Sequence, residues 1–403
     1  MTSSVAVNIA SPEFKANPHP FYARLRAEAP VYRTVLPDKR TAWLVARYDD
    51  VVAVLKDERF VKDRRNAMTP EQLAKVPWVP GMFKPLERNM LDLDAPDHTR
   101  LRALVHKAFT PRLIEQMRER IQTLAEELLD TAERKGTLEL IHDFALPIPV
   151  TIIAQMLGVL PKDHHKFHTW SRALLSMTSG RDMLRGIPPM ILFLRFMRKL
   201  VKERRAYPAD DLITALVQAE EAGDTLSEDE LIAMIFLLLV AGHETTVNLI
   251  ASGTLALLQH PDQMEKLKND PSFIKSGIEE LVRYTTPVET ATERYAREDV
   301  TIAGVTIPRG EMVFAVIASA NRDERYFQNP DGLDITRENN KHLSFGQGAH
   351  YCLGAPLARM EGQIAINTLL RRMPNLRLKV APESLRWRGG LVLRGLEALP
   401  VTF

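Results

Sequence analysis

The stretch from Ser227 to His260 constrains this chain more than any other. Ser227 and Glu230 in "SEDE" have capping-box spacing, the signature of a helix start, and no breaker follows until His260-Pro261. The spacing predicts one helix of about 33 residues, about 50 Å long at 1.5 Å per residue. Such a helix must cross most of a globular molecule, so the remaining chain has to wrap around it. Its longest apolar run, Leu231 to Ala241, falls short of the ~20 residues that a bilayer span requires, and His243, Glu244 and Asn248 follow directly. The helix reads as buried in protein. A chain of 403 residues with 45% apolar and 26% charged residues has the material for that core.

The pattern is almost wholly helical from about Pro96 to Pro261, and a smaller strand-rich portion surrounds it in sequence. "VYRTV" and "AWLVA" predict short strands near the start, and "YDDVVAVLKD" has helical spacing. After Val300, "DVTIAGVTIPRGEMVFA" alternates around Ala303-Gly304 and Pro308-Arg309-Gly310, the pattern of strands joined by turns. "NLRLKV" and "GGLVLRG" repeat that signal. No repeat or low-complexity linker divides the chain, so a single mainly α domain over residues 1–403 is expected. A net charge of +2 gives no sign of a nucleic-acid partner. The N-terminal residues lack a basic start followed by an apolar run, so neither secretory signal nor membrane anchor is expected, and the expected location is cytoplasmic.

The chain has one cysteine, Cys352, which excludes an internal disulfide and any cysteine-rich metal site. It lies in "FGQGAHYCLGAP", where Gly346 and Gly348 permit a tight loop and Pro356 sits at a favoured early helix position. A thiol just before a helix N-terminus meets free amide donors and partial positive charge, which favour the thiolate. That thiolate can act as a nucleophile, with His350 two residues away as a base, or as an iron ligand. The cysteine alone leaves both open.

"FGQGAHYCLG" resembles the haem-binding loop of the cytochrome P450 monooxygenases, Phe-Gly-x-Gly-x-His-x-Cys-x-Gly, at all of its defining positions: Phe345, Gly346, Gly348, His350, Cys352 and Gly354. "AGHETT" resembles the oxygen-activating motif of that family's long central helix, "EELVR" its Glu-x-x-Arg pair, and "ANRDERYFQNPDGLDITR" the segment before the haem loop. The resemblance implies the P450 fold, a haem b with Cys352 as axial thiolate ligand, and soluble bacterial-type membership. It further implies contacts to the haem from Ala241, Phe345, Gly346 and Gly354, and contacts to its propionates from His98, Arg102, Arg294 and His350, with arginine suited by its fork of donors. Glu280, Arg283 and Arg337 are implied as a buried charge network that serves folding and haem retention rather than chemistry. Glu244 and Thr245 are the implied oxygen-activation pair, an acid and a hydroxyl able to organise protons. His243 is expected to be structural.

Several loops resemble the family's substrate-contacting regions, and they contribute Trp78, Met82, Phe83, Met90, Met177, Met183, Val288, Thr290, Leu391, Val392 and Leu393. Their methionine and aromatic content suits an adaptable apolar pocket for a lipophilic polyketide, steroid, terpenoid or fatty-acyl substrate. Glu289 is a charged departure in that set. The basic helix Arg195 to Arg205 is expected to be a solvated lid, with a membrane-surface role as the sharper alternative. Nothing resembles a flavin or nucleotide module, so an acidic ferredoxin or flavodoxin with an NAD(P)H-dependent reductase is expected to supply electrons. Arg100, Lys107, Arg112, Lys341 and Arg359 are its expected docking cations. The rival readings are a peroxide-driven peroxygenase, whose members typically lack the acid-alcohol pair, a non-enzymatic haem sensor, and a haem-free cysteine hydrolase.

Overall fold

The computed structural model describes residues 7–74, 89–163, 166–167, 169–170, 180–221 and 223–403. They fall into two compact units, one of Met1–Val76, Leu124–Ala145 and Thr245–Phe403, the other of Pro77–Thr123 and Leu146–Glu244.

The first unit carries a five-stranded sheet in the order Val31–Val35, Thr41–Val45, Met312–Ala315, Arg294–Ala296, Phe60–Val61. Val31–Val35 runs antiparallel to Thr41–Val45, with Arg33 opposite Trp43, whereas Met312–Ala315 joins parallel, with Val313 opposite Trp43. Side chains alternate across a strand, and here both faces are buried. Val313 and Ala315 join Val51, Val54 and Leu55 of the helix Tyr48–Lys56 on one side. Met312 and Phe314 join Tyr22 and Leu25 of the helix His19–Glu28 on the other. The central strand is therefore apolar at every position.

The hairpin expected after Val300 forms, pairing Val300–Ile302 with Val305–Ile307 across Ala303 and Gly304, both at positive φ. "GGLVLRG" is a correction: it forms no strand and makes a single bridge, Leu393 to Val288. Its backbone groups go instead to residues 287–290, to the Ala10 carbonyl through the Gly390 amide, and to the Arg388 amide through the Gly395 carbonyl. "NLRLKV" shortens to Arg377–Leu378, which pairs with Pro400–Thr402, itself paired with Leu138–Glu139.

The long helix spans Glu228–Gln259, beginning in the second unit and ending in the first. Ser227 Oγ accepts from the Glu230 amide at 3.3 Å while Glu230 Oε2 accepts from the Ser227 amide at 2.8 Å, the reciprocal cap expected from the sequence. It is the one described helix long and apolar enough to cross a membrane, and half of that apolar window is buried inside the protein.

The second unit includes the helices Asp97–Ala108, Pro147–Met156, Gly180–Ala206 and Leu212–Gln218. The basic segment Arg195 to Arg205 lies within Gly180–Ala206. Its apolar side is buried through Met197, Leu200 and Val201, and its cations meet carboxylates: Arg204 with Asp211, Arg205 with Glu228, Arg198 with Glu228 and Asp229.

Candidate active site

Cys352 lies three residues before the helix Ala355–Arg372, in a loop closed by its own backbone. The Cys352 amide donates to the Phe345 carbonyl at 2.8 Å, and the Gly346 amide to Leu343 at 2.8 Å. Gly346 and Gly348 hold φ of 70° and 73°, conformations that cost any side-chain-bearing residue energy. At Gly348 space is also short, since an added Cβ would stand 2.9 Å from the Leu55 carbonyl oxygen. At Gly354 an added Cβ would meet nothing within 4 Å. The half-buried thiol thus sits beside a helix start, next to open space kept clear by a glycine. Such a setting stabilises a thiolate.

The loop is held from behind by two charge clusters. Arg359 donates twice to Glu279, at 2.7 and 2.8 Å, while its guanidinium lies 4.3 Å from the centre of the Phe345 ring. Burial alone would raise the Glu279 carboxyl, but hydrogen bonds from Arg359 and His342 outweigh it and pull it down to about 2. The second cluster is the expected triad. Arg283 and Glu280 are both fully buried and joined at 2.7 and 2.8 Å, and Arg337 reaches Glu280 at 3.0 Å. Arg283 spends its remaining donors on the carbonyls of Asn321, Pro330 and Gly332. Glu280 also accepts from the Asp334 amide and from Asn340.

Arg294 opens its strand as a buried residue and donates to the Phe60 carbonyl at 3.4 Å; His350 closes the short turn Gly348–His350. In the second unit, His98 is buried near the start of Asp97–Ala108, and Arg102 one turn on donates to His106 at 3.0 Å. On the long helix, Ala241, Glu244 and Thr245 share one face by their spacing. That face is the open one, with Ala241 exposed and Glu244 and Thr245 half-buried, whereas His243 and Thr246 are buried. His243 Nδ1 lies 2.6 Å from the Leu239 carbonyl, a satisfied structural histidine as expected.

The residues of the first unit fit a haem: one soft sulfur donor just before a helix start, and open space at Gly354 two residues on. The expected docking cations divide. Arg100 pairs with Asp224 and Glu230, and Arg359 with Glu279, so both are already neutralised; Lys107, Arg112 and Lys341 are exposed. Among substrate candidates, Met90 is buried in the second unit, while Val288, Leu391, Val392 and Leu393 of the first are half-buried. Thr290 is buried and donates to the Leu391 carbonyl. Trp78, Met82, Phe83 and Met177 lie outside the described residues, and so does the side chain of Met183.

Glu289 faces neither substrate nor solvent. It is fully buried against Lys15 at 3.0 Å and accepts from the Tyr22 hydroxyl. Glu361 was legible but unread: it falls on the buried face with Leu357, Met360, Ile364 and Ala365 by helical spacing. Burial raises its carboxyl to about 8, against a hydrogen bond with Thr246 that lowers it.

A sequence profile of the family "Cytochrome P450" matches residues 4–386. The chain is 48% identical over 395 residues to "Polyketide biosynthesis cytochrome P450 PksS" of Bacillus subtilis (strain 168), covering 97% of this chain and 96% of that one. The PksS structure superposes with a TM-score of 0.92 at 46% identity, covering 98% of this chain and 99% of that one. A myxobacterial cytochrome P450 structure, CYP267B1 in complex with myristic acid, gives a TM-score of 0.90 at 42% identity, covering 98% of each. "Vitamin D(3) 25-hydroxylase" of Pseudonocardia autotrophica is 43% identical over 396 residues, 98% of this chain and 96% of that one. The chain belongs to the cytochrome P450 family, the haem-thiolate monooxygenases.

Proposed function

We propose that this enzyme inserts one oxygen atom of dioxygen into a C–H or C=C bond of a sizeable lipophilic molecule of polyketide, steroid, terpenoid or fatty-acyl type. A ferredoxin-type partner would supply the electrons, and the whole of residues 1–403 would act as one P450 domain in the cytoplasm. The observation that carries the reading is the sole thiol in its glycine-closed loop, backed by a helix N-terminus and paired in sequence with an acid-alcohol motif. Relatives named for polyketide biosynthesis and vitamin D3 25-hydroxylation, and one in complex with myristic acid, support a large apolar substrate.

In this reading Cys352 would ligate the haem iron, its thiolate favoured by the helix start that follows it. The haem, when bound, supplies the reduction of dioxygen and the transfer of one oxygen atom. His98, Arg102, Arg294 and His350 would hold its carboxylates by charge-assisted hydrogen bonds. Ala241, with its small side chain on the exposed face of the long helix, would leave room for the haem. Thr245 would hold a proton on its hydroxyl, and the Glu244 carboxyl beside it would pass protons from solvent to that hydroxyl. Val288, Leu391 and Val392 line the substrate's apolar body, with Thr290 fixing the turn between them.

The test is the absorption spectrum of the ferric protein titrated with polyketides, steroids, terpenoids and fatty acids, followed by turnover with NAD(P)H, ferredoxin and its reductase. A spin-state shift with one class and oxygen-dependent product support the reading. Product from peroxide alone, with none from dioxygen and electrons, would replace it with the peroxygenase.

A further inference from the structure

The first unit contains a second cleft, of about 400 Å³, none of whose lining residues belongs to the site above. It lies among the start of the helix His19–Glu28, the last turns of the long helix, the end of the helix Ile274–Thr285 and the segment 382–394. Its polar lining is cationic. Arg322 and Arg394 both reach it and both are buried, with Arg322 stacked on Tyr284 at 4.1 Å and Arg394 on Trp387 at 3.9 Å. Glu383, exposed, is the one acid in the lining.

Three buried polar atoms on this lining have no hydrogen-bond partner: His19 Nδ1, Ser252 Oγ and Arg322 Nε. A buried unpaired polar group costs about 1–3 kcal/mol, more when charged. Three such groups around one cleft, each able to donate, mark the shape of a missing acceptor. The local charge agrees. Burial pushes His19 well below its ordinary range, and Arg322 and Arg394 push it further. Burial likewise lowers the Arg394 guanidinium to about 10, with Arg322 adding to the effect against the pull of Glu289. Gln259 and Thr285 add uncharged polar groups to the lining, and Leu255, Ala256 and Leu385 are its apolar walls.

We propose that this cleft binds a small organic carboxylate, its oxygens accepting from Arg322 Nε, Ser252 Oγ and His19 Nδ1–H, and its apolar body lying against Trp387 and the leucines. Three donors beside Arg394, with Arg322 already paired through Nη1 to Asp331 at 2.9 Å, match a monoanion with a flat or short hydrocarbon body. A phosphate lacks a group for the apolar walls.

Isothermal titration of the purified haem-loaded protein with benzoate, benzamide and inorganic phosphate tests this, with the Soret spectrum recorded on the same samples. Benzoate is expected to bind with a Kd of about 0.1–1 mM, benzamide and phosphate at least tenfold more weakly, with no Soret change. Ser252→Leu, which fills the cleft, and Arg322→Gln, which removes a donor, should each weaken benzoate about tenfold. The proposal is overturned by absent benzoate binding, by phosphate binding as tightly, by affinity unchanged in both variants, or by binding that tracks a Soret shift. The last result would put benzoate in the substrate site. Should Ser252→Leu fail to fold, Arg322→Gln decides between these outcomes.

Discussion

Replacing Arg283 by lysine keeps a positive charge beside Glu280 and removes only geometry. The arginine uses all of its N–H donors: two bonds to Glu280 at 2.7 and 2.8 Å, and one each to the carbonyls of Asn321, Pro330 and Gly332 at 2.7–2.9 Å. An ammonium offers three donors from a single point, so at least two of these acceptors lose their partner in a fully buried site. At about 1–3 kcal/mol for each stranded group, Arg283→Lys should cost roughly 2–6 kcal/mol. The lost carbonyl contacts tie down residues 321–332, the segment leading to the thiol loop, so haem should also dissociate faster. Urea unfolding followed by circular dichroism measures the first effect and transfer of haem to an apoprotein acceptor the second. A stability within about 0.5 kcal/mol of the parent, with unchanged haem transfer, would refute the idea that the fork geometry rather than the charge holds this junction.

Glu280→Gln tests the complementary term: with Arg283 and Arg337 left facing a neutral amide, the loss should be about 3–5 kcal/mol in the same unfolding assay. Gly348→Ala, which combines φ of 73° with a Cβ 2.9 Å from a backbone oxygen, should lower haem occupancy, whereas any loss in Gly354→Ala should come from crowding of the haem, since the apoprotein has room there; equal apoprotein stability losses in both would contradict this. Thr245→Ala is expected to keep haem and substrate binding while diverting electrons to hydrogen peroxide, read as the ratio of product to NAD(P)H consumed. The raised Glu361 carboxyl makes the folded state bind a proton that the unfolded state has released. Stability should therefore decline as pH climbs from about 4.5 towards 8, and Glu361→Gln should flatten that decline in unfolding midpoints across the range.

Local pattern carried much of this molecule. The cap at Ser227 and Glu230, the breaker at Pro261, and the alternation around Ala303-Gly304 each act within a few residues, and each element appears where its pattern lies. The thiol loop was equally readable, because its glycines, thiol and helix start are contiguous. "GGLVLRG" failed because a strand needs a partner, and residues 389–395 satisfy their backbone against a neighbouring loop. The sheet of Leu138–Glu139, Pro400–Thr402 and Arg377–Leu378 brings together short pieces from distant positions that no local window reveals. Glu289 could not be assigned from sequence for the same reason: its partners Lys15 and Tyr22 come from helices more than 260 positions earlier.

That assignment has a consequence for how such an enzyme changes its preferences. Residues 287–290 are tied to 391–394 by main-chain bonds, Glu289 and Thr290 to Val392 and Arg394 to Pro287, and by the Thr290 hydroxyl on the Leu391 carbonyl, while Glu289 is bolted from behind by Lys15 and Tyr22. None of these fastenings involves the side chains of Val288, Leu391 or Val392. The segment behaves as a mounting rail whose fittings can be exchanged one at a time without loosening it, so with Val288, Leu391 and Val392 in the proposed pocket, single substitutions there should change its shape while the frame stays in place.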